Sequence, residues 1–143
     1  MHPLRIGIAV LALFAVACAG KSATQLSEAA RSEGAVFWVE NHGRDNRNLE
    51  EIIANALRLR GLEASGGQQN ARPADFDFLV TYVDRWSWDM RTFLMKITIN
   101  VEDASSGQIV ATSESHQDSL TAMGKSYEDI VTTTTFLLLD GVH

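Results

Sequence analysis

One cysteine, two prolines and three lysines are all that the 143 residues hold of those types. A single cysteine excludes an internal disulfide and any paired-cysteine zinc motif. The basic side chains number 12 against 18 acidic ones, a net charge of −6, and no Lys/Arg cluster offsets it. Such a surface repels phosphate backbones, so nucleic acid is not an expected partner, and the same repulsion acts against anionic lipid headgroups. His42, His116 and His143 are scattered, with no H-x-x-x-H spacing, so no metal site is predicted. There is no G-x-S-x-G; Ser115 and His116 are adjacent, and neighbours in a strand point to opposite faces. Gly66-Gly67 lacks the lysine of a phosphate loop. The sequence therefore predicts no catalytic residues, no cofactor and no enzyme. Long apolar runs are also missing: the longest at the N-terminus, Ile6–Ala17, has 12 residues, where a membrane-spanning helix needs about 20.

That run nonetheless has a reading. A short start with one basic residue, Arg5, an uncharged apolar stretch and small residues before a cut form the pattern of a signal peptide over residues 1–17. Removing it takes away Arg5 and no acidic residue, which leaves a net charge of −7. The lone cysteine, Cys18, stands directly after the run. Ala15-Val16-Ala17-Cys18 resembles the lipobox of bacterial lipoproteins, in which small residues precede a cysteine that becomes the lipid-modified first residue. The resemblance implies cleavage between Ala17 and Cys18, an N-terminal lipid anchor in the membrane and a place in the cell envelope. In Gram-negative lipoproteins an Asp after the cysteine retains the protein at the inner membrane. Ala19 here implies the outer membrane, facing the periplasm. The sequence departs from the family where Leu is usual and Ala15 stands. Ala15-Val16-Ala17 also suits an ordinary signal peptidase, which would leave a soluble periplasmic protein without lipid.

Residues 18–33 are small and polar and read as a flexible tether, leaving 34–143 as one domain. Ala35–Val39 predicts a first strand, closed by Asn41-His42-Gly43. Leu49, Ile52, Ile53, Ala56 and Leu57 share one helical face, with Asp45 or Asn46 as cap and Gly61 as terminator. Leu62–Ala64 predicts a short strand, and Ser65–Pro73 a loop. From Asp75 to Met90 the even positions are apolar, which predicts a half-buried strand with Phe78, Val80 and Tyr82 inward. The phase then flips to odd positions, Phe93 to Val101, which places a tight connection near Asp89–Thr92. Asp103–Gly107 predicts a hairpin loop, Gln108–His116 its partner strand, and Ser126-x-x-Asp129 the cap of a final helix weakened by Thr132–Thr135.

The expected fold is α+β: an antiparallel sheet of four to five strands, a meander in its C-terminal half, with two helices on one face. From about Ala35 to Leu139 this layout, with the phrase Asp77-Phe78-Leu79-Val80-Thr81-Tyr82, resembles small α+β domains of uncharacterised bacterial lipoproteins. Four residues of the long strand form a candidate ligand or partner surface: Asp84, Trp86, Trp88 and Asp89. Asp84 interrupts the apolar face, either as a ligand-contacting acid or as a bulge or ion pair with Arg85 or Arg91. Trp86 and Trp88 either line a glycan- or apolar-ligand-binding surface or point inward as core. The functional expectation is a non-catalytic envelope lipoprotein that binds another envelope protein.

Overall fold

The computed structural model describes residues 20–142. In chain order the elements are β1 (Gly20–Thr24), β2 (Val36–Asn41), α1 (Leu49–Leu59), β3 (Glu63–Gln68), a 3-10 turn at Gln69–Ala71, β4 (Phe78–Trp88), β5 (Thr92–Asp103), β6 (Ile109–His116) and α2 (Tyr127–Asp140). They form one six-stranded sheet in the order β1-β6-β5-β4-β2-β3. Both helices share a single core with one face of it, built on Phe37, Val39, Val80, Ile97, Ile99 and Val101 from the strands.

The α+β class holds, but the antiparallel sheet of four to five strands does not. The sheet has six strands and is mixed, because β2 runs parallel to both of its neighbours. The cause is α1. A helix between two strands carries the chain back to the end where it started, so β3 lies parallel to β2. The chain must then cross back again before β4. It does so over the sheet face opposite α1: Arg72 grips Glu40 with two hydrogen bonds of 2.7 and 2.8 Å. Ser65–Gln68, expected as loop, completes β3. Trp38, out of phase with Phe37 and Val39, is buried by this crossover rather than by the helices.

The stretch read as a tether is structured from Gly20 on. β1 pairs antiparallel with β6, from Gly20 opposite His116 to Thr24 opposite Thr112. Leu26 and Ala30 are buried, and the Leu26 N–H donates to the Leu138 carbonyl at 2.7 Å. Alternation missed this strand because GKSAT lies at a sheet edge and is exposed except at the half-buried Ala23, too little to show a period.

The first helix follows its apolar stripe, with Leu49, Ile53 and Leu57 fully buried. Asp45 secures its start by accepting from the Leu49 N–H at 2.7 Å, although Asn48, in a left-handed conformation, occupies the cap position. Gly66 allows β3 to pass under α1; an added Cβ would lie 2.9 Å from the Glu50 carbonyl oxygen. In α2, Ser126 caps the Asp129 N–H as expected. Thr134 and Thr135 donate to the carbonyls of Ile130 and Val131, so these buried threonines fit inside the helix.

The phase flip in β5 has a different cause from the one its pattern suggested. Arg85 faces Lys96, and the next pair is Trp86 with Leu94. Met95 is thus the extra residue of a bulge, and it, not the turn, changes the parity. Leu94 rather than Met95 is buried beside Ile97.

Candidate functional site

Beyond Val80, β4 outruns β2. The loop that follows β2 fills the gap beside it and is fastened there by carboxylates. The Tyr82 hydroxyl donates to Asp45 at 2.7 Å, and Asp45 also accepts from the Arg47 N–H at 2.7 Å. Asn41, buried, donates to Glu50 at 3.1 Å and accepts from the Gly43 N–H at 2.8 Å. Burial first, and then the bond to Asp45, raise the Tyr82 hydroxyl well above its ordinary value, so it remains a donor.

Two residues further along, Asp84 occupies the apolar side of the strand with both oxygens engaged. One accepts from Trp86 Nε1 at 2.7 Å, and the other lies 2.7 Å from His42 Nε2. The His42 ring is tilted against Tyr82 with centroids 5.0 Å apart. Arg47 places its guanidinium 3.8 Å above the Trp86 ring, and Tyr127 of α2 meets that ring edge-on at 5.5 Å. A hollow of about 450 Å³ opens here, lined by His42, Arg44, Tyr82, Val83 and Asp84. At the opposite end of β4 a hollow of about 410 Å³ holds Glu33, Asp77 and Asp103. Asp77 accepts from the Val36 N–H, and Asp103 from the N–H groups of Ser105 and Ser106.

The structure brings Asp84 and Trp86 together and leaves Trp88 and Asp89 apart from them. Trp88 is 70% exposed at the end of β4. Asp89 begins the turn, its N–H donating to the Arg91 carbonyl at 3.0 Å. Trp86 is half-buried, so the two indoles have different surroundings. His42, Arg47 and Tyr127 were not foreseen as part of this site, and Asp45 was foreseen only as a helix cap; His42 lies 42 residues from Asp84, and no local spacing links them. Cys18 and Ala17 lie outside the described residues.

The fold is one that PelC shares. Two structures of the PelC dodecamer from Paraburkholderia phytofirmans, one of them a point variant, superpose with TM-scores of 0.61. The variant is 16% identical, covering 86% of this chain and 95% of PelC; the other is 17% identical, covering 86% and 96%. A minor lipoprotein from Acinetobacter baumannii gives a TM-score of 0.35 at 14% identity, over 72% of this chain and 91% of its own. No protein-family model and no curated protein matches the sequence. At these identities the likeness to PelC is one of fold.

The chemistry of the His42 site follows from its hydrogen bonds. Nδ1 accepts from the Arg44 N–H at 3.2 Å, which assigns the proton to Nε2, facing Asp84. Both nitrogens are thereby occupied, and neither presents a lone pair to a substrate. None of the residues lining the hollow is Ser, Thr or Cys. Among the described residues, no three His, Cys, Asp or Glu side chains are grouped so as to hold a metal ion. The arrangement fastens the β2–α1 loop, β4 and α2 to one another.

Proposed function

We propose that the protein is a cell-envelope lipoprotein anchored through Cys18, which acts by binding another envelope component and catalyses no reaction. One observation carries this reading: the only cysteine of the chain stands immediately behind an uncharged apolar run and the small residues Ala15-Val16-Ala17. Chance placement of a lone cysteine there is improbable, and in an exported protein acylation gives it a use. Ala19 favours the outer membrane. The fully engaged His42 supports a binding role. The glycan reading has less support, because Arg47 and Tyr127 already take up the Trp86 ring and Trp86 and Trp88 do not form a shared platform.

Metabolic labelling tests the anchor. The wild-type protein should incorporate labelled fatty acid and sediment with membranes, and Cys18→Ala should do neither. A wild type that is soluble and unlabelled would refute the anchor in favour of simple cleavage after Ala17. Affinity capture of the acylated protein from membranes then identifies what it binds, a different envelope protein or, as in the PelC dodecamer, further copies of the chain.

A further inference from the structure

The strand registers fix which end of the domain the N-terminus enters. Gly20 lies opposite His116, His116 opposite Lys96, and Lys96 opposite Arg85, in one row across four strands. The β4–β5 hairpin continues past that row to Trp88 and Thr92. At roughly 3.4 Å per residue, Trp88 projects about 10 Å beyond the Gly20 row. Residue 18 reaches at most roughly 7 Å from Gly20, since two residues of extended chain span no more. An anchor at that residue leaves the domain no stand-off, and the hairpin tip extends at least as far as the anchor does.

The same end carries Trp88, Met90, Leu120 and Met123, apart from Leu59 the four most exposed large apolar side chains among the described residues. Trp88 is 70% exposed, Met90 at the turn 92%, and Leu120 and Met123 in the β6–α2 loop 74% and 63%. That loop is tied to the hairpin, Arg91 donating to the Ala122 carbonyl at 2.6 Å and the Gln117 N–H to the Met95 carbonyl at 2.6 Å. All three lysines are also here: Lys96 in the Gly20 row, and Lys21 and Lys125 around a hollow shared with Gly20. With Arg91 they interleave with carboxylates, Glu114 lying 3.2 Å from Lys96 and Asp89 and Asp118 in the adjoining loops, so this end carries cations of its own without being strongly basic. An exposed indole and flexible apolar side chains with Lys and Arg among them, at the end where the anchor enters, match the headgroup layer of a bilayer, where Trp concentrates.

We infer that the Trp88/Met90 hairpin tip, with Leu120 and Met123, inserts into the headgroup layer of the membrane that holds the anchor. This rests on the lipoprotein reading above. Its test is made on acylated protein purified from membranes and reconstituted in phosphatidylethanolamine/phosphatidylglycerol vesicles, with and without phospholipid brominated on the acyl chains. Tryptophan emission of the wild type should shift to the blue on reconstitution and be quenched by the brominated lipid. Trp88→Phe, at an exposed site that leaves the fold intact, should lose that quenching. Trp38, beneath the crossover, should contribute none. Fatty-acid label and co-flotation without quenching, or quenching equal in both proteins, would overturn the inference and leave the anchor standing. Absence of label would overturn the anchor, and this inference with it.

Discussion

Asp84 is the residue on which the apolar side of β4 turns polar. A carboxylate there needs partners for both oxygens, and His42 and Trp86 supply them. Asp84→Ala should leave the indole N–H and the imidazole unpaired and cost about 1–3 kcal/mol. Urea unfolding measures the loss, and a red shift of Trp86 emission should accompany it. Asp118 contributes a pH dependence of its own. The backbone N–H of Thr121 and then its hydroxyl hold this carboxylate below its ordinary value of 3.8. A group lowered in the folded state stabilises above its unfolded value and loses that contribution as pH falls through the folded one. Asp118→Asn should therefore melt below the wild type at neutral pH, and the gap should close as the pH drops under 3.8. A gap that persists in strong acid would mean that the side chain acts by shape and not by charge.

Elements differ in how far their own residues announce them. Helix α1 was legible in its stripe and its end, though not in its cap: Leu49, Ile53, Ala56 and Leu57 are buried and Gly61 follows with φ +83°, while Asn48 takes the cap position and Ile52 is half-buried. Ile53→Ala should cost about 2–5 kcal/mol in a denaturant titration, as truncation in a packed core does. Strand β4 was legible by parity, with Val80 and Tyr82 buried as its even positions require. The partners of a strand were not legible, because a period of two says which side is inward and nothing about direction or neighbour. The parallel pairing of β2 with β3 and β4 and the capture of β1 by β6 are long-range choices of that sort. The site was half legible for the same reason. Asp84 and Trp86 share a strand, whereas His42, Arg47 and Tyr127 arrive from elsewhere in the chain. Gly66 shows how narrow such a choice can be. Gly66→Ala puts a Cβ 2.9 Å from the backbone of α1, so the helix must lift from β3, at a cost of about 1–3 kcal/mol. Thermal melts against Ser65→Ala, which carries no such clash, isolate the effect.

At the scale of the molecule the N-terminal segment is held by the other terminus. β1 lies along β6, the Leu26 N–H meets the Leu138 carbonyl, and Gln25 and Arg31 both donate to Leu139. Ending the chain before Leu137 removes these acceptors, and limited proteolysis should then cut between residues 20 and 33, which the full-length protein protects. The arrangement also sets an order of events in time. A protein delivered N-terminus first presents β1 long before β6 and α2 exist to receive it. The core of β2, α1, β4 and β5 can assemble meanwhile from nearer neighbours, but the sheet cannot close at its outer edge until β6 has emerged. Loop closure over so long a stretch of chain is slow relative to local pairing. β1 therefore waits without its partner until most of the domain has been made, and its docking along β6 is among the last pairings to form.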